Sequence, residues 1–167
     1  MSKDLKLPVV LDYKTPESLG NDRLAAVCGA KFLFPNQNVL IIDAGTAITY
    51  DILRKDGKYL GGNISPGIII RYKSLNTFTK RLPLIDFRLC FSGIGKSTED
   101  AIHKGIQFGV LAEAQAYITE WKTKLGELKV IFTGGDSQFF DNSFKSNIFV
   151  MPELVAVGLK SLLEINA

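Results

Sequence analysis

Cysteine and histidine are almost missing from this sequence: its 167 residues hold two of the first, Cys28 and Cys90, and one of the second, His103. The cysteines lie far apart in apolar surroundings, so the chain offers neither a disulfide framework nor the spacing of a Cys/His metal site. A reducing, cytoplasmic setting is expected. No run of about 18 apolar residues occurs and no apolar stretch follows Met1, which argues against a membrane span and a signal peptide. Blocks of one charge are lacking too. The net charge is +3, and the 20 Lys and Arg are spread along the chain, which argues against a nucleic-acid surface.

A single glycine is also absent where it would matter. The stretch "GIGKST", Gly93 to Thr98, reads as the end of a phosphate-binding loop, G-x-x-x-x-G-K-[ST], but the place of the first glycine is taken by Cys90. Without it the backbone N–H groups cannot curl around a β-phosphate, so a phosphate site must come from elsewhere or be lacking.

What is present is enough apolar sequence, 46%, for one domain with a core that needs no disulfide or structural metal. "LPVVLDYKTPESLGNDRLAAVCGAKFLF" begins with a short apolar strand, breaks at Pro16 and Gly20, and continues as a helix with Leu24, Val27 and Cys28 on one face, capped by Asn21 or Asp22. Apolar runs at Val39–Ile42 and Ile48–Leu53, then an Asp-Gly turn and a short strand from Lys58 to Leu60, suggest an antiparallel meander. A helix is expected from Ile68 to Phe78, then loop and strand in "KRLPLIDFRLCF". From Ser97 to Leu125 the spacing of Ile102, Ile106, Val110, Ala114 and Ile118 predicts the longest helix, with Ser97 and Asp100 as an S-x-x-D capping box. "LKVIFTGGDS" is a buried strand ending in a Gly-Gly turn, and "PELVAVGLKSLLEI" a last helix with proline in its first turn. The order predicts a layered α/β fold.

Three short segments could carry chemistry. "IIDAGTAITYD" sets Asp43 at the end of a buried strand before the turn of Gly45 and Thr46, which can offer N–H groups and a hydroxyl to an anion. A carboxylate there makes sense beside a cation or as a base, or it simply caps the turn. "GNDR", Gly20 to Arg23, opens a helix; Asp22 can act as a base toward a hydroxyl while Arg23 holds an anion, or the two can be a cap and a surface charge. The glycines of "FTGGDS", Gly134 and Gly135, permit close approach of a base or ribose and equally suit an ordinary turn. "GGNISPG", Gly61 to Gly67, reads as a loop of fixed shape, and His103 as a solvated or core-edge residue.

The order "Y-x-x-P-E-S-L-G-x-D-R", "D-A-G-T-A-I-T-Y-D", "G-G-x-I-x-P-G", "L-P", "S-T-E-D-A-I-x-x-G" and "T-G-G-D", from Leu7 to about Leu163, resembles type III pantothenate kinases, within the acetate and sugar kinase, heat-shock-70 and actin superfamily. The resemblance implies a ribonuclease-H-like α/β domain whose mixed sheet is built near Val39, Ile48, Lys58, Phe87 and Val130. It implies ATP-dependent phosphorylation of pantothenate, the first step of coenzyme A synthesis. Asp22 would accept the hydroxyl proton, and Tyr13, Gly20, Asn21, Asp22, Arg23 and Thr98 would contact pantothenate. Asp43 would bind a monovalent cation, potassium or ammonium, while Thr46 would contact ATP and Gly134 and Gly135 its adenosine. Mg²⁺ would accompany the ATP with no side chain here assignable to it, and the partner would be a second copy in a homodimer.

The family's "D-x-G-N-T" phosphate loop has no counterpart in these residues, and Lys80 of "T-K-R-L-P" stands where a small residue is usual. Residues 1–167 are therefore expected to form one C-terminal-type kinase subdomain without the N-terminal phosphate subdomain. Such a chain could be inactive alone, a binding module for pantothenate or nucleotide, or half of a split kinase. The strand at Leu7–Leu11 would then be poorly anchored, and the chain would self-associate.

Overall fold

The computed structural model describes residues 5–90, 93–141, 143–144 and 148–167. Six strands form one sheet: β1 (Val10–Leu11), β2 (Val39–Ala44), β3 (Ala47–Leu53), β4 (Lys58–Pro66), β5 (Lys129–Thr133) and β6 (Ile148–Val150), in the order β1-β4-β3-β2-β5-β6. β3 runs antiparallel to β2 and β4, whereas β5 and β6 run parallel to β2. The helices are α1 (Asn21–Leu33), α2 (Ile68–Phe78), α3 (Thr98–Leu125), α4 (Ser137–Asp141) and α5 (Leu154–Asn166).

β2 and β5 are apolar at every position of their buried centres because both faces of the sheet are covered. Leu40, Ile42, Val130 and Phe132 face the layer of α2, α3 and α4, while Val39, Ile41 and Ile131 face α1 and α5. α1 and α5 touch through glycine: a Cβ on Gly158 would overlap the carbonyl of Ala25, and one on Gly29 would stand 2.5 Å from the carbonyl oxygen of Leu154. α3 starts as the capping pattern predicts, with the Ser97 hydroxyl accepting from the Asp100 N–H at 3.1 Å.

Several expectations are corrected. The segment around Phe87 is not a strand; residues 80–90 are irregular, tied down by Gln107, whose side chain donates to the Arg88 carbonyl and accepts from the Cys90 N–H. The outer place in the sheet belongs to β6, too short to stand out in the sequence. "GGNISP" is not a loop but the second half of β4, where Gly61, at φ +95°, sits at a register shift opposite Ile52 and Leu53. The N-cap of α1 is Gly20, not Asn21 or Asp22, and Pro152 precedes α5 rather than lying in its first turn. The N-terminal strand is short but anchored: Val10 and Asp12 donate to the carbonyls of Gly57 and Tyr59, and Asp12 pairs with Lys58 at 2.9 Å. His103 is fully buried, its Nδ1 2.9 Å from the Tyr72 hydroxyl. Among the described residues no helix is long and apolar enough to cross a membrane.

Candidate active site

β2 and β5 end side by side, and the chain turns at both ends into glycine: Gly45–Thr46 after β2 and Gly134–Gly135 after β5. Asp43, the penultimate residue of β2, lies against Gly134, where any Cβ would collide with the Asp43 carboxylate and the Ala44 carbonyl. Gly134 also has φ +86°, so glycine is required there on two counts. The Gly45–Thr46 turn is backed by Gly67, whose N–H donates to the Thr46 carbonyl at 3.0 Å and whose missing side chain leaves room for the carbonyls of Gly45 and Thr46.

The end of β4 that carries Gly67 is held from the α2–α3 layer. The Glu113 carboxylate of α3 accepts from Tyr50 (2.8 Å), Ser65 (2.5 Å) and Arg71 (2.7 Å), residues of β3, β4 and α2. Burial alone would raise the Glu113 carboxyl, but the bonds from Ser65, Arg71 and Tyr50 outweigh it and hold the group below its ordinary range.

From the other layer α1 brings in its N-terminus. Tyr13 stacks on Tyr59 at 6.1 Å, and Asp22 is exposed in the first turn, its Oδ1 accepting from the Arg23 N–H at 2.8 Å. Gly20 leaves space for that fold-back, since a Cβ would lie 2.5 Å from Asp22 Oδ1. Arg23 points inward and is 5% exposed. Its Nε donates to both oxygens of Asp51, at 3.1 and 3.2 Å, and Nη2 to Oδ1 at 2.6 Å. Burial opposes the charge on the guanidinium, but the bonds and charge of Asp51 prevail and raise its pKa.

Asp43 of β2 lies in the field of other carboxylates, Asp22 of α1 among them. Burial raises the Asp43 carboxyl first, and the negative charges of Asp22 and Asp51 raise it further. This convergence of negative charge on a half-buried carboxylate suits a bound cation, although among the described residues no group of three or more His, Cys, Asp or Glu is arranged to enclose a metal. Beside the β5 turn a cavity of about 240 Å³ is lined by Ile68, Ile69, Phe87, Leu89, Gly135 and Asp136, with burial raising the Asp136 carboxyl.

Thr98 opens α3, on the other layer. α3 is 28 residues long, about 42 Å at the helical rise, roughly twice the span of six-residue β2. Its last residue, Leu125, lies beside Asn38 at the start of β2, so Thr98 projects past the end where β2 and β5 finish, on the layer away from α1. "GIGKST" is no phosphate cradle: Gly95 packs against the backbone of Ala101, and the first turn of α3 carries Glu99 and Asp100, both paired with Arg88. Sequence reasoning missed Asp51, Tyr59 and Glu113. Asp51 had a legible signal: a carboxylate inside an apolar strand needs a cation, and Arg23 is a cation near the start of an apolar helix.

A sheet of order 3-2-1-4-5 in β2 to β6, with only its second strand reversed and an acidic site where two parallel strands end, defines a ribonuclease-H-like domain of the actin-like ATPase class. Within that class the chain belongs to the type III pantothenate kinase family, whose pattern it matches over residues 1–120. It is 48% identical over 160 residues to the type III pantothenate kinase of Bacteroides fragilis strain YCH46, covering 96% of this chain and 66% of that protein. To the enzyme of the same name from Phocaeicola vulgatus it is 46% identical, covering 99% of this chain and 69% of that one. It therefore spans about two thirds of the length of these curated relatives. Among solved structures, a Campylobacter jejuni protein described as a Baf family transcriptional activator superposes with a TM-score of 0.70 at 28% identity, over 94% of this chain and 69% of that one.

Proposed function

We propose that this chain supplies the acceptor, cation and adenosine sides of a site that transfers the γ-phosphoryl group of ATP to the hydroxyl of pantothenate. The observation that supports this reading is the placement of Asp22, in the first turn of α1 and held by the Arg23 N–H, on the sheet whose central strand β2 carries Asp43 near its end. Asp22, exposed and oriented by the Arg23 N–H, takes the hydroxyl proton as the oxygen attacks phosphorus and the bond to ADP breaks. Tyr13, Gly20, Asn21 and Arg23 surround the acceptor, Thr46 meets the phosphates, and Gly134 and Gly135 flank the adenosine beside the cavity at Ile68. Mg²⁺ travels with the ATP. The test is ADP release coupled to a spectrophotometric readout, with pantothenate, Mg²⁺ and potassium; release that does not depend on pantothenate would sink the reading. Pantothenate binding without any turnover would instead favour a binding module or half of a split kinase.

Asp43 is the residue we assign to the monovalent cation, potassium or ammonium, which would offset charge developing on the phosphates. Its raised pKa sets the sign of a stability effect. A carboxyl raised on folding favours the folded state most below its unfolded pKa, and that contribution is lost as pH rises through the folded value. At pH 7 the ionised group therefore opposes folding. Asp43→Asn is expected to raise the melting temperature at pH 7 in cation-poor buffer, with the gain shrinking on acidification, and to erase the rise that potassium gives the unmodified chain. A variant still stabilised by potassium would refute the assignment.

A second copy of the chain is the partner we place on its exposed apolar surface, where Phe78, Ile94 and Phe108 are 84%, 86% and 71% exposed. Thr98, on the layer away from α1, would then contact pantothenate in the neighbouring copy's site. Sedimentation velocity should give a dimer that Phe108→Glu dissociates at micromolar concentration; a monomer at all concentrations would contradict this.

A further inference from the structure

Asp51 lies in the middle of an apolar strand at 1% exposure, and its acceptors are filled from three elements. Arg23 comes from α1, the Tyr59 hydroxyl of β4 donates to Oδ1 at 2.6 Å, and the Thr49 hydroxyl of β3 donates to Oδ2 at 3.0 Å. Arg23 Nη2 reaches Tyr59 as well, at 3.1 Å. The glycine pair of "GGNISP" makes this approach possible. A Cβ on Gly62 would overlap the Tyr50 carbonyl and Asp51 Oδ1 and stand 2.9 Å from Arg23 Nη2; one on Gly61 would press on the Tyr13 ring at 3.3 Å.

A buried ion pair adds little net stability over apolar side chains of the same size, but its fork of hydrogen bonds admits one geometry. Here that geometry is passed outward. The side chain of Arg23 is fixed on Asp51, its backbone N–H holds the Asp22 carboxylate, and its guanidinium carbon lies 5.9 Å from the centre of the Tyr13 ring. We propose that Asp51 and Tyr59, with Gly61 and Gly62 as the floor beneath them, are positioning residues that hold Arg23, Asp22 and Tyr13 in the arrangement that receives the acceptor. This rests on the acceptor-site reading above and adds to it residues that never touch the ligand.

The experiment uses the whole chain and pantothenate itself. Exchange of the Arg23 Nε–H is followed by nitrogen-15 NMR, and pantothenate affinity by calorimetry, in the unmodified chain and in Tyr59→Phe, which keeps the ring and removes the hydroxyl that donates to Asp51 and accepts from Arg23. The expected result is slow Nε–H exchange in the unmodified chain, faster exchange in the variant, and an affinity about fivefold weaker, the size of one net hydrogen bond passed on through Arg23, with the urea midpoint little changed. In an Arg23→Lys background, Tyr59→Phe should weaken affinity no further, because Tyr59 acts only through Arg23. Fast Nε–H exchange in the unmodified chain would overturn the anchor. An affinity within twofold of the original in Tyr59→Phe, or a further loss in the Arg23→Lys background, would overturn the positioning role while leaving the acceptor site standing. No pantothenate binding by the unmodified chain would overturn the acceptor-site reading itself and the proposal with it.

Discussion

Replacing Arg23 by methionine is expected to destabilise the chain by about 3–5 kcal/mol, because it leaves the Asp51 carboxylate buried with only the hydroxyls of Tyr59 and Thr49 as partners. Methionine fills much of the arginine volume, so the loss comes mainly from the uncompensated charge rather than from a cavity. The paired change Arg23→Met with Asp51→Leu removes both charges and should cost far less than the single change, since the two desolvation penalties vanish together. Urea denaturation of the two single variants and the double variant measures the coupling. Single changes that simply add would mean that the ion pair is not the reason these residues occupy the interior. Recovery of stability in the double variant without recovery of pantothenate affinity would separate holding the fold from shaping the site.

Asp22→Asn is expected to lower turnover by about 10²- to 10⁴-fold, the usual contribution of a general base, while leaving the pantothenate KM within a few-fold. The side chain is exposed and asparagine keeps an oxygen that can accept from the Arg23 N–H, so the start of α1 and the melting temperature should be unaffected. The two substitutions therefore have opposite signatures at adjacent positions. Position 23 governs stability and pantothenate affinity, and position 22 governs the chemical step. Turnover in Asp22→Asn within tenfold of the unmodified rate would show that the proton leaves by another route.

The local elements were mostly legible. The helix at Ile68–Phe78 and the strands at Val39 and Ile48 follow from apolar spacing and turn residues, and the start of α3 from Ser97 and Asp100. Where the reading failed, tertiary contacts had overruled local pattern. Gly61, Gly62 and Pro66 look like loop residues, yet β4 continues through them because β3 pairs along its length and Arg23, Asp51 and Tyr13 need the space that side chains would take. Phe87 and Leu89 look like strand residues, yet they line a cavity beside the β5 turn while Gln107 takes up the backbone groups next to them.

By itself the sequence determined the layers, the family and the short segments able to carry chemistry, because these depend on residue type and spacing within reach of a turn or a helix face. Only the tertiary structure decided which of those segments meet. Asp22 and Asp43 lie toward the same end of the sheet because α1 crosses one face with Arg23 against Gly62 and Lys31 against Gly57. Thr98 reaches that end from the other face, where α3 outruns the sheet. Arg23 turned inward for the same kind of reason: a buried carboxylate 28 residues away needs a charged partner, and no local pattern records that distance.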